Sequence, residues 1–217
     1  MKSILFNAEM TKAILDGRKS QTRRAIKVDT IMYDNPTLLE PDSCVKFNFS
    51  AGGCQNHSSP PLFINSKYQK GDIVWIREPV KIDMCFTEEI HFHYLADNTT
   101  SKLGIPKRFI KDGFVVDWMS HCNGIPNGCI KEMARIFLKI TDVRVERLQS
   151  ISASDVEAEG TPYWDNNLTE KECRKLYTWR WANLWNKTAQ KGYKWEDNPY
   201  VFVYKFERVN KDGSDYE

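Results

Sequence analysis

The chain has 217 residues, of which 41 % are apolar and 28 % charged, and its net charge is only +2. That length allows one domain or two with a real core, and the balanced charge excludes a polycation that coats nucleic acid through bulk charge, so any preference for nucleic acid or phosphate must come from local clustering. No stretch of about 18 apolar residues occurs, and the N-terminal MKSILFNAEM lacks an apolar run long enough for a signal peptide, so a cytoplasmic protein with reduced cysteines and no membrane partner is expected.

In chain order, Ser3 to Phe6 is a short apolar run that predicts a strand. Asn7 can cap a following helix in which Met10, Ala13 and Ile14 recur at helical spacing. Gly17 is placed to stop that helix in the left-handed conformation. From about Val28 to Gln69 the apolar pattern is weak, with Pro36, Pro41, Pro60, Pro61 and Gly52-Gly53, and reads as a long irregular excursion. Ile73 to Ile76 then forms a strand apolar on both faces, which argues for a central position. Residues 81–130 are mixed, with short strands expected around Phe92-Tyr94 and Phe114-Val116.

Arg135 to Leu148 is the clearest β region: Ile136, Leu138 and Ile140 alternate, Val143, Val145 and Leu148 follow, and the parity switches at Thr141-Asp142. Such a switch predicts a bulge or bend. Ser152 and Asp155 have capping-box spacing and Gly160 can end the short helix they open, leaving Glu159 as its last residue. Thr169 and Glu172 open a second helix with a stripe of Tyr177, Trp181, Leu184 and Trp185. Asn198-Pro199 leads into a closing strand with Tyr200, Phe202, Tyr204 and Phe206 on one face. This order lacks the βαβα alternation of a doubly wound sheet and predicts a mainly β, α+β fold, a small mixed barrel with helices at its openings.

The chemistry concentrates in GRKSQTRR, where Arg18, Lys19, Arg23 and Arg24 surround Ser20 and Thr22 with no acidic residue. Cations just past a helix end complement its dipole, and a loop threonine often bonds backbone, so one reading is structural. The other is an anion site, or a threonine activated by a lysine whose cationic neighbours disfavour its protonated form. Arg77-Glu78 after the central strand reads as a pocket lining or a plain ion pair. Lys139, Arg144 and Arg147 read as a basic track or a solvated face. Trp75, Trp179, Trp181, Trp185 and Trp195 offer stacking faces or core packing. The six cysteines and four histidines contain no C-x-x-C pair; only Cys54 with His57, or His91 with His93, could each supply two ligands, and no metal or cofactor is expected.

ILDGRKSQTRR, KGDIVWIRE, ITDVRVERL, the helix ending EAEG, and NPYVFVYKFE, in that order, resemble an ASCH domain. The nearest likeness is to the phage- and prophage-encoded branch, which carries I-L-x-G-R-K-T-Q-T-R-R, G-D-x-L-W-V-R-E and N-P-W-V-W-V. The resemblance implies a PUA-like β-barrel with flanking helices, a single domain over 1–217, and insertions at about 28–69 and 82–130. It also implies binding of RNA or a modified nucleotide. One branch hydrolyses N(4)-acetylcytidine with a lysine, a threonine three residues later and a glutamate near the end of the short helix; another is linked to cleavage of single-stranded RNA. Aligned by motif, those catalytic types fall on Lys19, Thr22 and Glu159, while Ser20 stands where the family often has threonine. Arg18, Ser20, Arg23, Arg24, Arg77 and Glu78 are then candidate ligand-binding residues. A phage accessory or assembly protein without catalysis is the third alternative. The three readings differ in one geometric expectation: Lys19, Thr22 and Glu159 converge in a cleft if the site is catalytic.

Overall fold

A computed structural model describes residues 1–28, 33–39, 44–49, 60–86, 88–111, 114–115, 129–161 and 170–216. The strands are β1 (Lys2–Leu5), β2 (Gln21–Ala25), β3 (Tyr33–Leu39), β4 (Cys44–Phe49), β5 (Leu62–Asn65), β6 (Ile73–Arg77), β7 (Val80–Cys85), β8 (Glu89–Tyr94), β9 (Thr100–Gly104), β10 (Ile110–Lys111), β11 (Phe114–Val115), β12 (Phe137–Arg147) and β13 (Tyr200–Val209). The helices are α1 (Ala8–Leu15), α2 (Ala153–Ala158) and α3 (Glu170–Thr188). The described chain is therefore mainly β and of α+β class, and among the described residues no sheet closes on itself. No helix among them is long and apolar enough to cross a membrane.

The chain divides into two compact units. The first comprises Met1–Asp16, Ile73–Leu138 and Arg208–Glu217. Here β1 pairs in parallel with β6, Ile4 opposite Ile76, and Ile76 N–H donates to the Ile136 carbonyl just before β12 (3.0 Å). Val74, Trp75 and Ile76 are all buried, as expected of a strand apolar on both faces. Helix α1 starts where expected: the Asn7 Oδ1 accepts from Met10 N–H at 2.8 Å, and Thr11, Ala13 and Ile14 turn inward. Strands β7, β8 and β9 form an antiparallel sheet whose inner residues Ile82, Ile90, Phe92 and Tyr94 pack with Trp75, Met133 and Phe137.

The second unit comprises Gly17–Asp72 and Lys139–Glu207. Within it the sheet order is β12-β13-β2, and β13 runs antiparallel to β2 with Tyr204 opposite Thr22 and Phe202 opposite Arg24. Every residue from Tyr200 to Tyr204 is buried, so the closing strand is covered on both faces rather than on the single face its aromatic alternation marks. The parity switch in β12 shows in burial, Ile140 and Val143 both lying inside, and the strand runs unbroken through it. Helix α3 buries Tyr177 and Trp181 against Val156, with Trp185 and Trp195 at the margin, while Trp179 stands 65 % exposed.

Residues 28–69 differ from the irregular excursion expected there. Strands β3, β4 and β5 form a three-stranded antiparallel sheet with Val45 opposite both Leu38 and Ile64. Pro36 interrupts β3 where the register shifts between Asp34 and Thr37, and this break dilutes the strand signal. In β4, Val45 and Phe47 are fully buried and alternate with Lys46 and Asn48, a period-2 pattern too short to stand out. The expected strand around Phe92-Tyr94 is β8; Val116 and the Thr169 cap lie outside the described residues.

Candidate functional site

Two chain reversals build the site. Gly17 takes φ +73° after α1, and the chain then runs extended into β2. On the other side Ser152 caps α2 in a reciprocal capping box with Asp155. That helix ends at Glu159, with Gly160 at φ +85° turning the chain away. The two segments meet in the second unit: Lys19 and Glu159 form an antiparallel bridge, and Ser20 N–H donates to the Ala158 carbonyl at 2.9 Å.

The side chains continue this junction. Lys19 Nζ donates to Glu159 Oε2 at 2.7 Å and to the Glu159 carbonyl at 2.8 Å. The other carboxylate oxygen, Oε1, accepts from Arg23 Nη1 at 3.0 Å. Lys19, Arg23 and Glu159 are each only 3 % exposed. Arg23 Nη2 also reaches Glu146 at 2.5 Å and Asp155 at 3.1 Å, so one guanidinium serves three carboxylates from β12, α2 and the helix end. Arg144 completes the cluster, donating to Asp155 (2.8 Å), Glu146 (3.2 Å) and the Gln21 side-chain carbonyl (3.2 Å). Exposed Arg18 donates to the Gly160 carbonyl at 3.1 Å. The Arg23 guanidinium stands 6.0 Å from the Trp181 ring centre, on the side of α3.

Burial sets the protonation of this cluster. It pulls the Lys19 amine below the ordinary lysine value; Glu159 opposes the shift through charge and hydrogen bonding, while Arg24 and Arg23 add to it. Asp155 behaves in the opposite way. Burial favours its neutral form, but Arg23, Gln21 and Arg144, with the Ser152 N–H, outweigh that and hold it at about 2. Taking so many charges out of water is costly unless each is met by an opposite one, and here every carboxylate has at least one guanidinium or ammonium on it.

The opposite face of β2 has a different character. Alternation places Gln21 and Arg23 on one face and Thr22 and Arg24 on the other. Thr22, 3 % exposed, lies opposite Tyr204, whose hydroxyl bonds Ser66 Oγ at 3.0 Å; Ser66 donates on to the Tyr68 carbonyl at 2.7 Å. Tyr68 meets Tyr204 edge to face at 5.1 Å, and Phe202 stacks on Tyr204 at 5.9 Å. Arg24 is exposed, yet surrounding protein is dense enough to draw its guanidinium below the ordinary value, against the pull of Tyr68, Glu159 and Tyr204. An arginine stays cationic through such a shift.

The structure thus brings Lys19, Arg23 and Glu159 together, with Thr22 on the Arg24 face of the same strand. Ser20 serves through its backbone, bonded to Ala158 and to Phe206 N–H (2.9 Å). Arg77 and Glu78 belong to the first unit. There Glu78, fully buried, takes two hydrogen bonds of 2.9 Å from Arg135, which also holds Asp97 and lies 3.7 Å from the Tyr94 ring centre. Glu146, Asp155, Tyr68 and Tyr204 were not legible as site residues, and Arg144 was legible only as part of a basic track or solvated face. Asp155 shows in sequence only as a helix cap, and Glu146 only as a polar position in a strand. Among the described residues no group of three or more His, Cys, Asp or Glu side chains is placed to hold a metal ion; Cys54 and His57 lie outside them.

No family model, no curated protein and no solved structure matches this chain.

Proposed function

We propose that the chain is a PUA-like module of the ASCH type that binds RNA or a modified nucleotide at the Arg24 face of β2. One observation carries this reading: the two motif segments that the resemblance singles out, 140 residues apart in sequence, meet through Lys19 and Glu159 at 2.7 Å in a buried pair. Arg24, exposed on β2, is the cationic side chain this reading assigns to a phosphate, and Thr22 shares its face of the strand. With Arg18 and Arg24 each meeting one phosphate, affinity for single-stranded RNA falls about sevenfold between about 50 and 200 mM salt. Fluorescence anisotropy with a labelled oligocytidylate measures it. Arg24→Gln is expected to weaken binding and flatten the logarithmic salt slope by about 0.7. Binding that ignores both salt and Arg24 overturns the assignment.

The buried amine of Lys19 favours hydrolysis of an acylated nucleoside as a second reading, because burial pushes it toward the neutral form a proton acceptor needs. In that reading the Thr22 hydroxyl attacks the acyl carbon, its proton passes to the neutral Lys19 amine and by way of Glu159 to the leaving nitrogen, and water then frees the acid from Thr22. It requires Thr22 to reach Lys19 from the Arg24 face of β2. Incubation with N(4)-acetylcytidine beside Lys19→Ala decides it: turnover lost in the variant supports catalysis, and no turnover by the wild type leaves the binding module or an accessory protein.

A further inference from the structure

In the first unit, the outer face of the β7-β8-β9 sheet carries side chains outside the site described above. Along β8, Ile90, Phe92 and Tyr94 are buried, so alternation puts His91 and His93 together on the face turned away from the core. They stand about 6.7 Å apart along the strand. The register of β7 adds a third side chain. A bulge between Ile82 and Met84 takes Asp83 out of the pairing and leaves Met84 directly opposite His91, 52 % exposed. Cross-strand partners of this kind bring their Cβ atoms to about 5 Å. Each imidazole is held by a carboxylate. His91 Nε2 bonds Glu89 at 2.8 Å, and His93 Nδ1 bonds the two oxygens of Asp83 at 2.8 and 3.0 Å. An ionised carboxylate only accepts, so in each ring the nitrogen facing it carries the proton. In the neutral imidazoles the lone pairs then sit on Nδ1 of His91 and Nε2 of His93. A carboxylate on one ring nitrogen and a metal on the other is the usual arrangement of a metal-binding histidine. We propose that His91 Nδ1, His93 Nε2 and the Met84 thioether bind one monovalent copper ion, with Glu89 and Asp83 positioning the two rings.

The donor set selects the ion. Magnesium and calcium take oxygen ligands, and zinc takes thiolate, imidazole or carboxylate. A thioether is soft and favours Cu(I). It is also what supplies a third ligand, since among the described residues the histidines, cysteines and carboxylates form no group of three by themselves. Charge points the same way. Lys81 lies opposite His93, and Lys102 lies opposite His91 with its ammonium 3.7 Å from Glu89. Asp83 and Glu89 balance these two cations, so a singly charged ion is opposed less on this face than a doubly charged one. All three ligands are neutral, and the carboxylates act on the ion only through the imidazole N–H groups. Binding involves no oxidation or reduction: the ion arrives and stays as Cu(I). The Phe86 ring, edge to face with His91 at 5.1 Å, packs against the ring from the end of β7. This assignment is independent of the reading of Arg24.

The test is an anaerobic titration of the whole protein, ¹⁵N-labelled at histidine, with Cu(I) supplied as its acetonitrile complex and carried past the six thiols of the chain. Coordination moves the ¹⁵N resonance of the nitrogen that gives its lone pair. Shifts are expected at Nδ1 of His91 and Nε2 of His93, saturating together at one ion per chain. Met84→Leu, at an exposed position, is expected to weaken this step about tenfold or more, and Asp83→Asn, which acts through the His93 ring, about tenfold. Urea midpoints equal to the wild type establish that both variants fold. Should Met84→Leu fail to fold, the ¹³C shift of the Met84 methyl group in the wild type reads the same contact. Cys85→Ser, on the inner face beside Met84, is expected to change nothing. A parallel titration with Zn²⁺ is expected to move the two rings only at higher concentration, without response to Met84→Leu. Histidine resonances that stay in place once the thiols are filled overturn the site. Zinc bound more tightly than copper, copper affinity that ignores Met84→Leu with a Met84 methyl shift that does not move, or a loss in Cys85→Ser overturns the copper and thioether assignment.

Discussion

Replacing Glu159 by glutamine probes the junction at its centre. The change keeps the shape but removes the charge that Lys19 and Arg23 share, at a side chain 1 % exposed. Taking one partner from a buried pair costs about 3–5 kcal/mol, because the remaining charge is left without compensation. Two contacts soften the loss. Lys19 keeps the Glu159 backbone carbonyl at 2.8 Å, and Arg23 keeps Asp155 and Glu146. The low end, about 3 kcal/mol at pH 7, is therefore expected. Urea unfolding followed by tryptophan fluorescence reads it as a midpoint lower by about 1–1.5 M for a slope of about 2–3 kcal/mol per molar.

The penalty carries a pH signature. In Glu159→Gln the folded-state pKa of Lys19 drops further below its unfolded value. A base with a depressed folded pKa binds fewer protons folded than unfolded, so stability rises with pH, and it does so earlier in the variant than in the wild type. The gap between the two proteins narrows toward about pH 10, by at most about 1.4 kcal/mol per unit. Glu157→Gln, at an exposed position of the same helix, serves as the control and is expected to stay within about 0.5 kcal/mol of wild type. A cost below about 1 kcal/mol at pH 7 would refute the buried-pair account. A gap that does not move with pH would show that Lys19 is not the group left uncompensated.

Asp155→Asn is expected to remove an acid-sensitive contribution: with a folded pKa of about 2 against 3.8, that contribution is complete above the unfolded value and lost as pH falls through the folded one. Acid unfolding of wild type and variant, followed by circular dichroism between about pH 5 and pH 2, should converge at the acid end. In the first unit, Arg135→Met leaves Glu78 fully buried without its bidentate partner, and a loss of about 3–5 kcal/mol is expected in denaturant unfolding at pH 7. Burial already raises the Glu78 pKa, so this loss shrinks as pH falls and the carboxyl takes a proton.

Much of the frame was legible because it is written locally. Asn7, Gly17, Ser152, Asp155 and Gly160 act on the few residues beside them, and each does in the structure what its type and spacing predict. The strand at Ile73 and the closing strand at Tyr200 were equally plain, since long apolar runs survive any context. The sheet of β3, β4 and β5 was not, because a proline breaks its first strand and its best alternation spans only Val45 to Asn48. The site divides the same way. Lys19 and Glu159 were proposed together only through a family pattern, since no local rule links residues so far apart. Arg144 showed only as part of a basic track or solvated face and Glu146 not at all, because an ion pair depends on which distant segment arrives beside a strand, and polar residues alternating in a strand look the same whether they meet water or each other.

The left-handed turn at Gly160 has an evolutionary consequence. It fixes where the main chain presents the carbonyl of residue 159 to Lys19. The lysine is thus addressed twice, once by a side chain that mutation can change and once by backbone that it cannot. Drift at position 159 would retune the charge of the junction while leaving its position intact. Loss of glycine at 160 would move the junction itself. Selection for a different chemistry in this scaffold therefore has a short path through residue 159 and a closed one through its neighbour.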